Sequence, residues 1–320
     1  MLTEPIYIFI KSKKCSIIFY NITEERSSIK TMDNKIGYLN DNFKIFNIRD
    51  KKDIQFEYHN HDFNKIIIFI NGNVTYFVDG IPYKLKPWDI LFISNNEIHK
   101  PVIDSNVFYE RIAIWISPEF MKKNSDATSD LEKCFKIATE NKCNRLRLNI
   151  HDIESIKSFI EQINISESNT EFGNEILRNT LFIQLMIFLN RIFLKNENME
   201  STEDVFYDET IKKVLNYINS NIDDKLSIDS ISSEFFISKY YLMRKFKSHT
   251  GTSIHNYIVQ KRLILAKSLI TNGYLMSEVC NKCGFNDYSS FVRAFKKNYG
   301  VSPKNYINNK NPLDITLLDE

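Results

Sequence analysis

Hydrophobic and polar positions change rhythm along the chain. Between Ile36 and Ile116 they come as short β-branched and aromatic runs, Ile66–Ile70, Val74–Val78, Ile90–Ile93 and Ile112–Ile116, the residue types that suit a pleated, half-buried surface. Asn71-Gly72-Asn73 and Asp79-Gly80 fall between them and signal tight turns. Strands this short and closely spaced predict an antiparallel barrel or sandwich. From Ser117 the period turns helical, with modest helices over Asp130–Glu140 and Asp152–Ile163. A long helix follows over Phe172–Lys195, where Ile176, Leu177, Leu181, Leu185, Phe188, Leu189 and Ile192 keep a 3.6-residue period. Asn196–Asp204 is polar and acidic with no apolar period. It predicts a linker over 196–207 that parts a first domain, 1–195, from a second, 208–310, in which helices resume at Asp208 and run to about Asn308.

The second domain contains a repeat. Residues from Ser238 onward recur after 49 positions: Arg244 as Arg293, Phe246-Lys247 as Phe295-Lys296, and Gly251 as Gly300. Ser253, Asn256, Tyr257 and Ile258 recur as Ser302, Asn305, Tyr306 and Ile307, and Leu242 returns as Phe291. Two copies make a duplicated supersecondary unit, not a solenoid. Each copy reads as helix, short turn, helix. In the first, Ser227 caps Ile228–Phe235, and Ser238 and Gly251 bracket Lys239–His249. In the second, Ser277–Cys283 is followed by a turn at Gly284, and Asp287 caps Tyr288–Tyr299. Leu242 and Phe246 lie four apart, as do Phe291 and Phe295, so each pair forms a buried stripe.

The faces opposite those stripes suit the DNA major groove, which admits an α-helix and is read by its outward residues. The base-facing candidates are Tyr240, Met243 and Arg244 in the first unit and Tyr288, Ser289, Ser290 and Arg293 in the second. Lys239, Lys245, Lys247, Lys296 and Lys297 suit phosphate contacts. Charge agrees. The chain as a whole carries +2, but Val205–Lys310 holds 16 Lys and Arg against 8 Asp and Glu, while the residues before it hold 26 against 29. A basic module beside a slightly acidic one points to a polyanionic partner.

Composition excludes several classes. Hydrophobic residues make up 43%, enough for a sizeable core, and 8 Gly with 7 Pro exclude collagen-like or linker-like chains. No secretory signal pattern opens the chain, because Lys11, Lys13 and Lys14 interrupt Met1–Phe19. The most apolar stretch, Leu181–Leu194, contains Gln184, Asn190 and Arg191 and is read as falling short of a membrane span. Five irregularly spaced Cys fit a reducing cytoplasm, and Cys280-x-x-Cys283 reads as helix packing under a turn. There is no glycine-rich phosphate loop or nucleophile signature, and no cofactor is expected.

The stretch Leu226–Ile307 resembles the DNA-binding domain of the AraC/XylS family of regulators. The matching residues are Ile237-Ser238-Lys239-Tyr240-Tyr241-Leu242, Arg244-Lys245-Phe246-Lys247 and Gly251 in the first unit, then Arg262 and Ala266-Lys267 in the connecting helix. In the second unit they are Gly284-Phe285, Phe291, Arg293, Phe295-Lys296-Lys297, Gly300-Val301, Pro303 and Tyr306. The resemblance implies two recognition helices joined by a long helix, about Ser253–Leu269, entering successive major grooves on one face of duplex DNA. Two departures are visible: Ser232 and Cys280 replace the usual small Ala under each turn, and Leu275-Met276 lacks the usual polar cap. The resemblance further implies an N-terminal sensor for a small effector, often a sugar, with a homodimer and RNA polymerase as partners.

His59-Asn60-His61, Gly72, Pro87, Asp89 and His99 resemble the cupin pattern, in which two His, a Glu and a later His hold a metal. Lys65 occupies the Glu position, and a cation there opposes a divalent metal. No metal is therefore expected, and the alternatives are a metal-free ligand pocket and satisfied loop histidines. His59, His61, Tyr76, Trp88 and His99 are the candidate effector-pocket residues. The fold expected is α+β: an N-terminal antiparallel β-barrel, cupin-like and carrying helices, then an all-α double helix-turn-helix domain. The function expected is a cytoplasmic, effector-responsive transcription regulator. The rival is a cupin-type enzyme with an accessory helical domain. The wide apolar stripe of Phe172–Lys195 predicts a dimer contact near Leu181, Leu185 and Phe188.

Overall fold

A computed structural model of the protein describes residues 39, 41–51, 56–167, 169–196 and 208–308. Seven strands open it: β1 (Phe43–Asp50), β2 (Asn64–Asn71), β3 (Val74–Val78), β4 (Ile81–Lys84), β5 (Ile90–Ile93), β6 (His99–Ile103) and β7 (Tyr109–Ile116). Then come α1 (Pro118–Lys123), α2 (Lys133–Asn141), a two-residue strand β8 (Arg145–Leu146), α3 (Ile150–Glu167) and α4 (Asn174–Asn196). The second half is all helix: α5 (Glu209–Ser220), α6 (Ile228–Glu234), α7 (Lys239–Thr250), α8 (Ile254–Thr271), α9 (Met276–Lys282), α10 (Tyr288–Tyr299) and α11 (Pro303–Asn308). The expected linker, 196–207, lies outside the described residues except for Asn196, the last residue of α4.

The strands form two antiparallel sheets, one ordered β1-β7-β2-β5-β8 and the other β4-β3-β6. The sheets do not close into one hydrogen-bonded ring, so the expected barrel is realised as an open, cupin-like pair of sheets. Side-chain alternation assigns each face. On β2, Ile66 and Ile68 join the core under α1–α4, while Ile67 and Phe69 point between the sheets. On β5, Ile90 and Phe92 face the helices, and Leu91 and Ile93 the interior. On β3, Tyr76 and Val78 face the interior, and Phe77 faces away into a core shared with α5, α6, α7 and α8. The molecule is thus layered: α1–α4, the larger sheet, the smaller sheet, the first helical unit, and a last core of α8–α11.

Local signals fix the helical half. Ser227 and Ser230 form a reciprocal capping box on α6, Ser238 caps α7, and Asp287 caps α10. Leu275 gives α9 no side-chain cap, matching the departure noted in the sequence. Leu242, Phe246, Phe291 and Phe295 are fully buried, so both four-residue stripes do face the core. Gly284, in the left-handed region at φ 72°, passes so close to the carbonyls of Ile222 and Asp223 that a Cβ would meet them at 2.9 and 2.8 Å. That approach explains a glycine at the second turn.

One expectation needs correction. Leu181 and Leu185 are buried in the chain's own sheet–helix core, and Phe188 packs against it. The wide stripe of α4 is thus spent largely within the molecule, because the larger sheet and α3 flank it. By length and composition alone Asn174–Lys195 is apolar enough to cross a membrane. Yet Phe182, Met186 and Leu189 are fully buried, and Asn190 accepts from the Cys134 amide at 2.8 Å and donates to Leu131 O at 2.9 Å. Those are the contacts of a core helix.

Candidate functional site

The two units place their second helices, α7 and α10, with the predicted outward residues in solvent. Tyr240, Met243, Arg244, Tyr288, Ser289 and Arg293 are exposed, and Ser290 is half-buried. Arg244 leans toward the Tyr240 ring, 5.8 Å from its centroid, and the Arg293 guanidinium stays near Ser289 O and Ser290 Oγ at 3.4 Å. Both are local, weak restraints that leave the guanidinium heads deployable. Lys247, Lys296 and Lys297 are exposed in the last turns. Lys239 and Lys245 are engaged instead: Lys239 pairs with Asp229, and Lys245 pairs with Asp208 at 2.8 Å while donating to the Tyr241 hydroxyl at 2.7 Å. Cys280 and Cys283 are buried in the last core, where burial pushes the Cys283 thiol up to about 12, as befits packing residues.

The second constellation lies between the sheets. His59 and His99 pair through their backbones, His59 N–H to His99 O at 3.2 Å and His99 N–H to His59 O at 2.9 Å. With His61 they form a cluster whose ring centroids are 4.5–5.9 Å apart. One ring nitrogen of each lies within 4.8 Å of those of the others. Each Nδ1 faces a carbonyl: Glu57 O at 3.0 Å for His59, and Phe63 O and Glu97 O at 3.2 Å for His61 and His99. A carbonyl only accepts, so each Nδ1 carries the proton and each Nε2 presents a lone pair. The Nε2 atoms of His61 and His99 are buried without a hydrogen-bond partner. Burial first, then the Lys65 charge, hold His59 down to about 4 and His61 well below the usual imidazole value, and burial first, then the neighbouring His59 and His61, do the same for His99. The imidazoles are neutral at pH 7.

This donor set fits three nitrogen ligands of a divalent metal, with carbonyls orienting the far side of each ring. It lacks the carboxylate, because Lys65 projects into the same space. Lys65 lies on the interior face of β2 with Ile67 and Phe69, and burial and Arg111 lower its ammonium to about 8. Arg111 is paired with Asp50 at 3.0 Å. The Tyr109 hydroxyl is buried here without a partner. Tyr76 joins the cluster, its ring 6.0 Å from that of His99 and stacked on it. Trp88 does not. Its φ of 71° turns it toward the core under α1–α4, where Lys157 lies 4.9 Å from the ring centroid. Sequence reading missed Tyr109 and Arg111 as interior residues. The period-two rule run backward from Ala113 would have found them.

Two stacked units with outward basic helices, beside an enclosed polar cluster between two sheets, define a DNA-binding regulator with a separate ligand-binding half. A family model described as an AraC-like ligand binding domain matches residues 47–186, and a helix-turn-helix domain model matches residues 231–309. The chain belongs to the AraC/XylS family of transcription regulators. The HTH-type transcriptional activator RhaS of Enterobacter sp. (strain 638) is 23% identical over 254 residues, covering 78% of this chain and 86% of that protein. RhaS of Salmonella arizonae is 23% identical over 251 residues with the same coverage. Among solved structures, the C-terminal domain of the two-component response regulator yesN from Fusobacterium nucleatum is 30% identical across 31% of this chain and 98% of that one, with a TM-score of 0.30.

Proposed function

We propose that this regulator is a cytoplasmic, homodimeric transcription activator whose sheet half senses a small hydroxylated effector such as a sugar, and that it is not an enzyme. The exposed recognition faces of α7 and α10 carry the reading of DNA binding at Arg244 and Arg293. The relatives named as transcriptional activators support the sign of regulation and RNA polymerase as a partner. For the effector, the supporting observation is the unpartnered Nε2 lone pairs of His61 and His99 beside an ammonium at Lys65 and a hydroxyl at Tyr109. Lone pairs accept from sugar hydroxyls, and the ammonium donates to sugar oxygens. His59, His61, Tyr76 and His99 line this site, with Lys65 and Tyr109 added and Trp88 left out. The boundaries 1–195 and 208–310 are proposed for the two functional halves. A panel of monosaccharides tested by thermal shift, with mobility shift on duplexes from the gene's own upstream region, checks both halves. One sugar should raise Tm in the parent and not in His99→Gln. DNA retardation unaffected by loss of Arg244 and Arg293 together would refute the DNA assignment.

A further inference from the structure

His59 and His61 reach the cluster from an extended segment, and an extended segment sends its intervening side chains the other way. Those intervening residues all touch the helical half. The Tyr58 hydroxyl donates to Thr250 O at the end of α7. The Asn60 side chain is buried beside the Tyr299 hydroxyl at the end of α10, its own Nδ2 without a hydrogen-bond partner. Asp62 accepts from Lys267 of α8 and, at 3.1 Å, from the Tyr306 hydroxyl of α11. The opposing strand behaves alike. Ile98 packs in the core with α5–α8, His99 enters the cluster, and Lys100 donates to Gly251 O at 2.7 Å. Tyr58 and Lys100 therefore hold the first helix-turn-helix unit, and Asp62 holds the connecting helix and α11 of the second unit, with Asn60 packed beside the end of α10.

We propose that Tyr58–Asp62 is a two-sided strap: one row of its side chains belongs to the histidine cluster, the other clamps both helix-turn-helix units. Occupancy of the cluster thereby sets how firmly the two recognition helices are held relative to each other. A ligand that draws the imidazoles of His59 and His61 together must rotate or shift the same five residues, and Tyr58, Asn60 and Asp62 move with them. The two strips cannot separate freely, because the His59–His99 backbone pair joins them. By reciprocity, DNA that selects one spacing of the recognition helices changes the affinity of the cluster for its ligand by the same factor. The strap rests on the effector reading only for the identity of the trigger. The mechanical link itself stands on side-chain alternation.

Amide hydrogen exchange on the full chain tests the link without an effector. His61→Ala and Asp62→Asn should each speed exchange at residues 250–252 and 303–306 by about tenfold, and the double variant should add little, as for two cuts in one connection. His59→Asn, at a less buried position, serves if His61→Ala fails to fold, and Ile67→Val reports on general loosening between the sheets. Unchanged exchange at 250–252 and 303–306 in a folded cluster variant overturns the strap. So does an increase that Ile67→Val reproduces. The effector reading fails separately, if a ligand that raises Tm binds His59→Asn and His99→Gln as well as the parent.

Discussion

Lys261 of α8 donates to the Asp79 carboxylate at 2.9 Å, fastening the β3–β4 turn to the helix that joins the two DNA-binding units. Both side chains are largely buried, at 18% exposure each, and Asp79 also accepts from the Ile98 amide at 3.1 Å. Lys261→Met should cost about 1–3 kcal/mol, since it leaves a half-buried carboxylate short of a partner. Asp79→Asn in the same background should recover part of that loss. Urea denaturation of the four species checks it, and zero coupling energy would contradict the pairing.

Arg244 and Arg293 sit at equivalent outward positions of α7 and α10. Each Arg→Ala change should cost about 1–3 kcal/mol of operator affinity and relax base preference in one half of the site. Lys247→Ala, by contrast, should weaken all duplexes alike and lower the salt slope by about one. Fluorescence titrations on operator and scrambled duplexes at several salt concentrations separate the two behaviours.

Dimerisation is expected through the start of α4, not its middle. Ile176 and Leu177 are exposed there, with Phe172 before them and Ile165 on α3. An exposed apolar group of this kind is the sort of patch a two-fold partner covers. Leu177→Asp should shift sedimentation from dimer to monomer without changing Tm appreciably, whereas Leu185→Asp should unfold the sheet half. A parent protein that sediments as a monomer at tens of micromolar removes the basis for this assignment.

Glu97 is buried and accepts from the Ser94 amide at 2.8 Å and from Thr139 and Asn144 at 3.0 Å. Burial, then the Asp79 charge, raise its carboxyl to about 7. A raised folded-state value means that stability is fully present below about pH 4.5 and is lost as pH rises through 7. The stability of the parent relative to Glu97→Gln should therefore fall between about pH 4 and pH 8, by about 1.4 kcal/mol for each unit the carboxyl is shifted. Denaturation curves at the two pH values give the difference, and an equal gap at both would show that Glu97 titrates normally.

Lys65→Glu places a carboxylate beside three imidazole lone pairs. The variant should retain zinc through gel filtration in a near-stoichiometric amount and gain Tm on adding it, while the parent retains less. Elemental analysis of both proteins decides, and equal metal content would mean that the ammonium does not disfavour the ion.

Much of the helical half was legible because its determinants are local. Ser238, Gly251, Asp287 and Gly300 bracket α7 and α10 where caps and left-handed turns predict, and the 49-residue repeat announces two units. The strands β3 and β5 were readable as apolar runs. β1, β4 and β6 were not, because Lys44, Arg49, Pro82, Lys100 and Pro101 break their pattern. The histidine cluster was half legible. Sequence grouped His59, His61, Tyr76, Trp88 and His99, but only the structure shows that Trp88 faces another layer. The grip of Asp62, Asp79 and Lys100 on the helices could not be read at all, since contacts between residues 151 to 244 positions apart leave no periodic trace.

The matched glycines Gly251 and Gly300 end α7 and α10 with φ of 71° and 78°. At Gly300 a Cβ would meet nothing within 4 Å, whereas at Gly251 it would meet the Lys100 side chain at 3.0 Å. The duplication thus supplied two matched glycines and two unequal neighbourhoods. Asn, which tolerates a left-handed backbone, can substitute at position 300 for a modest strain, but at position 251 it must also displace the lysine that ties the first unit to the smaller sheet. Over evolutionary time the two copies should drift at different rates here, with the ancestral glycine held longest where the chain has built something against it.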